Sequence, residues 1–252
     1  MKNISLYTLF IVLIFGSCTP DESSMPDSDL TVKFKSFYGS ELLVLGKTYN
    51  YLDYEVNFDK FKYIISNVEL IDENNALHAL SDVELIDFKD SSSEDEAAKG
   101  ITFSYSGVPS GAYKAIRFDF GLGSEYIGKT PADYSSDEVL AQSELFWDSW
   151  GNYIIGKLEA RFDSNNDGNF LDETFQYHLG GDDAFRTVEV PIDLNLLGDG
   201  LTELELSLDI SDIVRLDNSL IDPAVYSETH SPEFNWLIDE LLDNIQTLFT
   251  AN

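Results

Sequence analysis

The sequence predicts a mainly β protein, an antiparallel Greek-key sandwich or barrel with one short internal helix and one C-terminal helix. Three observations carry that expectation. Apolar and polar residues alternate with a period of two along most of the chain. About nine such runs are separated by glycine, proline and asparagine turn signals, the punctuation of a sandwich. Only two stretches carry helical spacing instead.

Thr31 to Phe37 sets Val32, Phe34 and Ser36 on one face and Lys33, Lys35 and Phe37 on the other. Phe61 to Ile71 is dense in β-branched and aromatic residues and reads as a long strand or a strand pair. Val83 to Phe88, Ile101 to Tyr105, Ala112 to Phe120, Tyr153 to Phe162, Thr174 to Leu179, Thr187 to Ile192 and Leu201 to Ile210 continue the pattern. Asn74-Asn75, Pro109-Ser110-Gly111, Gly180-Gly181 and Gly198-Asp199-Gly200 supply the turns. Ser91 to Lys99, small and acidic, reads as a solvated loop.

Ser135-Ser136-Asp137-Glu138 has the form of a capping box and predicts the internal helix, running to Phe146. For the C-terminal helix, Ser231 is the expected cap and Pro232 opens the first turn. Phe234, Leu237, Ile238, Leu241, Leu242, Ile245, Leu248 and Phe249 then share one face. Its polar face carries Asp239, Glu240 and Asp243 without a lysine or arginine, so anionic lipid would repel it, and the helix is expected to close one side of the sandwich.

Lys2, the apolar run Leu6 to Phe15 and Gly16-Ser17-Cys18 read as a signal peptide (1–17) with a lipobox, too short to span a bilayer. Cys18 is the only cysteine, so the expectation is a lipidated residue and not a disulfide. Residues 18–30 read as lipidated cysteine plus flexible tether, and 31–252 as one folded domain. Asp21 and Glu22 suggest an outer-membrane lipoprotein, periplasmic or surface-exposed. With 46 acidic against 15 basic residues and a net charge of −31, nucleic acid is excluded as a partner and cations are concentrated at the surface.

Asp163-Ser164-Asn165-Asn166-Asp167-Gly168-Asn169-Phe170-Leu171-Asp172-Glu173 spaces oxygen-bearing side chains as a calcium loop does. Asp163, Asn165, Asp167, Asn169, Asp172 and Glu173 are the expected ligands, with Gly168 at the turn and a structural role for the ion. The pattern resembles EF-hand and dockerin loops, with strands in place of the flanking helices. An acidic hairpin turn is the alternative.

A second segment, Leu145-Phe146-Trp147-Asp148-Ser149-Trp150-Gly151-Asn152-Tyr153, holds two of the three tryptophans, and Phe175-Gln176-Tyr177-His178-Leu179-Gly180 lies downstream of it. With Phe61 to Leu70, Gly111-Ala112-Tyr113, Ile116-Arg117-Phe118 and Gly121-Leu122-Gly123, these segments resemble the MbnP-like family of copper-binding proteins in both content and order. The resemblance covers Thr31 to Asn252 and implies a β-rich domain outside the cytoplasm. It implies a copper site of histidines and a tryptophan oxidised to kynurenine by a dihaem peroxidase-like partner enzyme. The matching positions are His178, one of Trp147 or Trp150, and His230. Ser124-Glu125-Tyr126-Ile127 departs from the family in lacking a histidine.

Three histidines, and the absence of a Gly-x-Ser-x-Gly, His-Glu-x-x-His or Walker pattern, argue for binding and against catalysis. The competing expectation is a calcium-stabilised surface adhesion or glycan-capture lipoprotein without redox metal, presenting Tyr126, Tyr134 and Trp236.

Overall fold

The period of two decides which side chains β1 (Ser28–Tyr38) turns inward: Leu30, Val32, Phe34 and Ser36 are buried. The strand starts at Ser28, ahead of the expected Thr31, so Leu30 is a core residue and not part of a tether. The computed structural model describes residues 26–165, 167–169, 173–181, 184–198, 200–231 and 233–252. Cys18 with the leader, Asn166, Asp172, Asp199 and Pro232 lie outside the described residues.

The chain continues through β2 (Glu41–Leu42), β3 (Thr48–Tyr51), β4 (Tyr54–Asp72), β5 (Leu77–Asp87), α1 (Glu94–Lys99), β6 (Ile101–Val108) and β7 (Gly111–Gly121). Next come β8 (Phe146–Trp147), β9 (Asn152–Asp163), β10 (Glu173–Gly180), β11 (Phe185–Leu196), β12 (Leu201–Asp209) and α2 (Ile210–Ile213). Last are β13 (Arg215–Leu216), β14 (Ser219–Leu220), α3 (Leu237–Ile245) and β15 (Thr250–Ala251). One sheet has the order β15-β12-β1-β2 with β6 also on β1. The larger has the order β10-β9-β4-β7-β11, with β3 and β5 on β4 and β8 on β9. Neither path closes on itself, so the architecture is a sandwich and not a barrel.

Among the described strands, pairing is antiparallel with one exception: β1 and β12 run parallel from Asp29↔Leu201 to Phe37↔Asp209. Parallel neighbours need a long crossover, and here the whole larger sheet intervenes in sequence. Long β4 is irregular at Asn67, where φ is +53° and the register with β7 shifts; the register with β5 shifts just after, between Val68 and Glu69. Aromatic side chains fill the space between sheets: Phe34 meets Phe118 at 6.3 Å, and Phe249 meets Phe118 at 5.0 Å.

Three helix expectations are corrected. Residues 135–146 form no α-helix. Glu138 Oε2 does accept Ser135 N–H at 2.6 Å, half of a capping box. Beyond it, only the 3-10 turns Val139–Ala141 and Ser143–Leu145 form before β8. Leu140 and Leu145 are both buried, and a five-residue spacing would point them to different sides of an α-helix. The stretch read as a loop contains α1, because Ser93 Oγ accepts Glu96 N–H at 3.3 Å and Ala97 is buried. At the C-terminus, α3 is shorter than expected and starts at Leu237, with Ser231 joined to it only through turns and its hydroxyl not capping. Leu237, Ile238, Leu241, Leu242 and Ile245 are buried as the stripe required. The acidic face is answered by Arg186 of β11, which holds Asp243 at 2.6 Å and Asp239 at 3.1 Å.

Candidate metal centre

Where β8 turns into β9, the backbone reverses within a few residues. Trp150 N–H and Gly151 N–H both donate to Trp147 O, at 3.0 and 2.9 Å, and Gly151 takes φ +64°. The reversal folds the indoles of Trp147 and Trp150 onto each other, 4.5 Å between ring centroids. Trp150 also needs Gly180. A Cβ there would lie 2.5 Å from Trp150 Cζ3 and 2.8 Å from Tyr153 O. The glycine that ends β10 thus makes room for an aromatic ring from the neighbouring hairpin.

On the other side, the free edge of β10 is covered by residues 226–230. Gln176 N–H donates to Ser227 O at 2.7 Å, and Gln176 and Glu228 form a parallel bridge. Thr229, fully buried, works in both directions: its hydroxyl accepts His178 N–H at 2.8 Å and donates to His178 O at 2.5 Å. Tyr177 OH adds a bond to Tyr226 O at 2.7 Å. This docking seats His230 beside His178, with rings stacked at 5.6 Å. Trp147 closes the group, edge-on to His178 at 6.2 Å and to His230 at 5.2 Å.

All four positions taken from the family pattern therefore form one cluster of rings. Trp147 is the indole that touches both imidazoles, whereas Trp150 backs it. A cleft of about 440 Å³, lined by Trp150, His230, Ser231 and Asn235 among others, lies alongside. His78 is held elsewhere, 3.5 Å from Asp72 and edge-on to Tyr113.

The electrostatics of the pair are specific. His178 Nε2 lies 2.9 Å from Glu159 Oε1, and His230 Nε2 contacts Glu228 Oε2. Glu159 is held down at about 2 by its hydrogen bond with His178 and also by Lys60 Nζ at 2.8 Å, against the opposing effect of burial. The other nitrogen of each ring, Nδ1, is buried and has no hydrogen-bond partner among the described residues. Two orphaned imidazole nitrogens in one pocket are costly unless something binds them. Among the described residues no group of three or more His, Cys, Asp or Glu side chains could hold a metal ion. Two nitrogens fall short of the tetrahedral set that zinc takes, but imidazole is a copper ligand and copper(I) accepts as few as two donors. The donor set fits copper.

Glu159, Glu228 and Thr229 are site residues that sequence reasoning missed. The first two are carboxylates among 46 acidic residues. Thr229 carries no signal beyond its place before His230.

The calcium-shaped loop is built differently. Asp163, 2% exposed, accepts Asp167 N–H at 3.1 Å and Gly168 N–H at 2.5 Å. Asn165 Oδ1 accepts Asp167 N–H at 2.9 Å, and Asp167 Oδ1 accepts Asn169 N–H at 2.9 Å. Glu173 is exposed at the start of β10, 3.4 Å from Ser164 Oγ. The aromatic residues proposed to face a glycan are divided. Lys129 lies over Tyr126 and Tyr134, while Trp236 packs edge-on to Tyr226 at 5.8 Å.

Fold and pocket together define a class, the β-sandwich protein with an imidazole–indole pocket at a sheet edge. The MbnP family model matches residues 27–231, and the chain belongs to the MbnP family. That span includes Trp147, Trp150, His178 and His230 and ends ahead of α3. Among solved structures, MbnP from Methylosinus trichosporium matches with a TM-score of 0.52 at 14% identity, over 74% of this chain and 77% of that one. At that identity the likeness is one of fold. No match was found among curated proteins.

Proposed function

We propose that this protein binds copper(I) through His178 and His230 beneath the indole of Trp147, as a lipoprotein anchored at Cys18 on the outer membrane. The observation that carries the reading is the pair of buried, unpartnered Nδ1 atoms in stacked imidazoles. When bound, copper supplies a soft, redox-active cation. The chain's own part is to hold it. Thr229 ties the two histidine-bearing segments together, Glu159 and Glu228 orient the rings, and the indoles exclude water from one side. Binding, not turnover, is the activity this supports.

The test is titration of the purified chain with copper(I) against a chromogenic chelator. Stoichiometric uptake that disappears in His178→Ala and His230→Ala supports the reading, and a wild-type chain that leaves copper with the chelator overturns it. A dihaem peroxidase-like partner enzyme is proposed to act on Trp147, the indole against both imidazoles. Mass spectrometry of protein from its native host checks this: tryptophan at 147 in its unoxidised form removes the partner proposal and leaves copper binding in place.

A second reading concerns the 163–173 loop, where a structural calcium ion would serve a surface adhesion or glycan-capture lipoprotein. It is favoured by the buried Asp163 carboxylate and by oxygen side chains at 163, 165 and 167 around Gly168 at φ +83°. Calcium that raises the melting temperature of a chelator-stripped sample supports it, and indifference to calcium rejects it.

A further inference from the structure

Neither imidazole of the pocket is free to choose its tautomer. A carboxylate can only accept hydrogen bonds, and both oxygens of Glu159 face nitrogen: Oε1 lies 2.9 Å from His178 Nε2 and Oε2 lies 2.8 Å from Lys60 Nζ. The hydrogen shared between His178 and Glu159 therefore sits on Nε2. The contact between His230 Nε2 and Glu228 imposes the same on the second ring. In a neutral imidazole with hydrogen on Nε2, the lone pair is on Nδ1. Those are the two buried ring atoms that have no partner among the described residues.

We infer that Glu159 and Glu228 are positioning residues that commit both histidines to ligation through Nδ1. This deepens the copper reading and rests on it for the identity of the cation. A carboxylate behind a ligating histidine fixes the ring's tautomer and orientation and makes the ligand nitrogen more basic. The two arms are not equivalent. Glu159 projects from β9, opposite Gln176 in register, and shares its second oxygen with Lys60 of β4. Glu228 lies in the segment docked on the edge of β10, two residues from the histidine it holds. His178 is thus oriented by the sheet, and His230 by its own loop.

The experiment has two arms, both on the full folded chain. Nitrogen-15 NMR of histidine-labelled, metal-free protein reads the tautomers directly. Protonated Nε2 and bare Nδ1 are expected at both residues, and Glu159→Leu and Glu228→Leu should each turn one ring into a tautomer mixture. Copper(I) titration should then shift the Nδ1 resonances, and each leucine variant should bind roughly 10- to 100-fold more weakly. Glu159→Gln and Glu228→Gln keep an acceptor oxygen and should recover most of that loss, which a purely structural role would not predict. Thermal melts identify a variant that fails to fold, and the glutamine forms keep the test alive if a leucine form does so. Bare Nε2 in wild-type protein, or leucine variants that bind copper(I) as tightly as wild type, overturns the positioning role. Failure of wild-type protein to bind copper, with the tautomers as expected, would overturn the copper reading instead.

Discussion

Two segments carry metal-like patterns, the 147–153 hairpin with its histidines and the 163–173 loop, and the structure treats their donor atoms in opposite ways. In the loop, Asp163, Asn165 and Asp167 each already accept backbone N–H groups from the turn they sit in. In the pocket, no described backbone group bonds the imidazoles at Nδ1, and that nitrogen of both is left over. Side-chain oxygens at turn spacing satisfy a turn by themselves. The nitrogen lone pairs are satisfied by none of the described residues, and the copper proposal rests on that difference.

The sharpest way to break the comparison is to remove a pocket nitrogen. His178→Ala or His230→Ala should cost more copper(I) affinity than loss of a supporting carboxylate, beyond roughly 100-fold, as read by chelator competition. A smaller effect would show that the orphaned nitrogens are not the ligands. On the loop side, Asp163→Ala strands the N–H of Gly168, leaves that of Asp167 to Asn165 alone, and should lower stability by about 1–3 kcal/mol in chemical denaturation. If backbone donors account for the loop, that loss is the same with chelator or calcium present. A loss seen only with calcium would move the loop into the pocket's class. Thr229→Val removes both bonds to His178 and should cost about 0.5–1.5 kcal/mol per bond, while weakening copper binding with no change at the loop. The smallest effect is expected from Lys60→Met, which leaves Glu159 bonded to His178 but without its cation. A few-fold change in copper affinity is expected there, since partly exposed ion pairs contribute about 1 kcal/mol or less.

Legibility from sequence tracks the range of the interaction. The β-strands could be read because alternation is a local property, and β1, β7 and β9 lie close to where their alternation put them. The internal helix could not, since Ser135 and Glu138 form their turn whether or not a helix continues from it. The path of residues 139–146 is set instead by the distant core that buries Leu140 and Leu145. In the pocket, Trp147, Trp150, His178 and His230 stood out because the segments around them resemble those of the MbnP-like family. Glu159 and Glu228 did not, because selecting them requires the β9–β10 register and the docking of residues 226–230 on β10. The parallel pairing of β1 with β12 was likewise invisible, for it joins segments from opposite ends of the domain.

The docking of residues 226–230 on β10 has a consequence for how the molecule would respond to metal. His178 belongs to the sheet, whereas His230 belongs to the strap that leads into α3. An ion shared between them would act as a rivet, fastening the C-terminal end of the chain to the sandwich by a bond that a chelator can undo. A ligand at 100 times its dissociation constant adds about 2.7 kcal/mol to the folded state. Here that gain would fall on the strap and its helix, so slower amide exchange in those segments would report occupancy as directly as any spectroscopic signal from the metal.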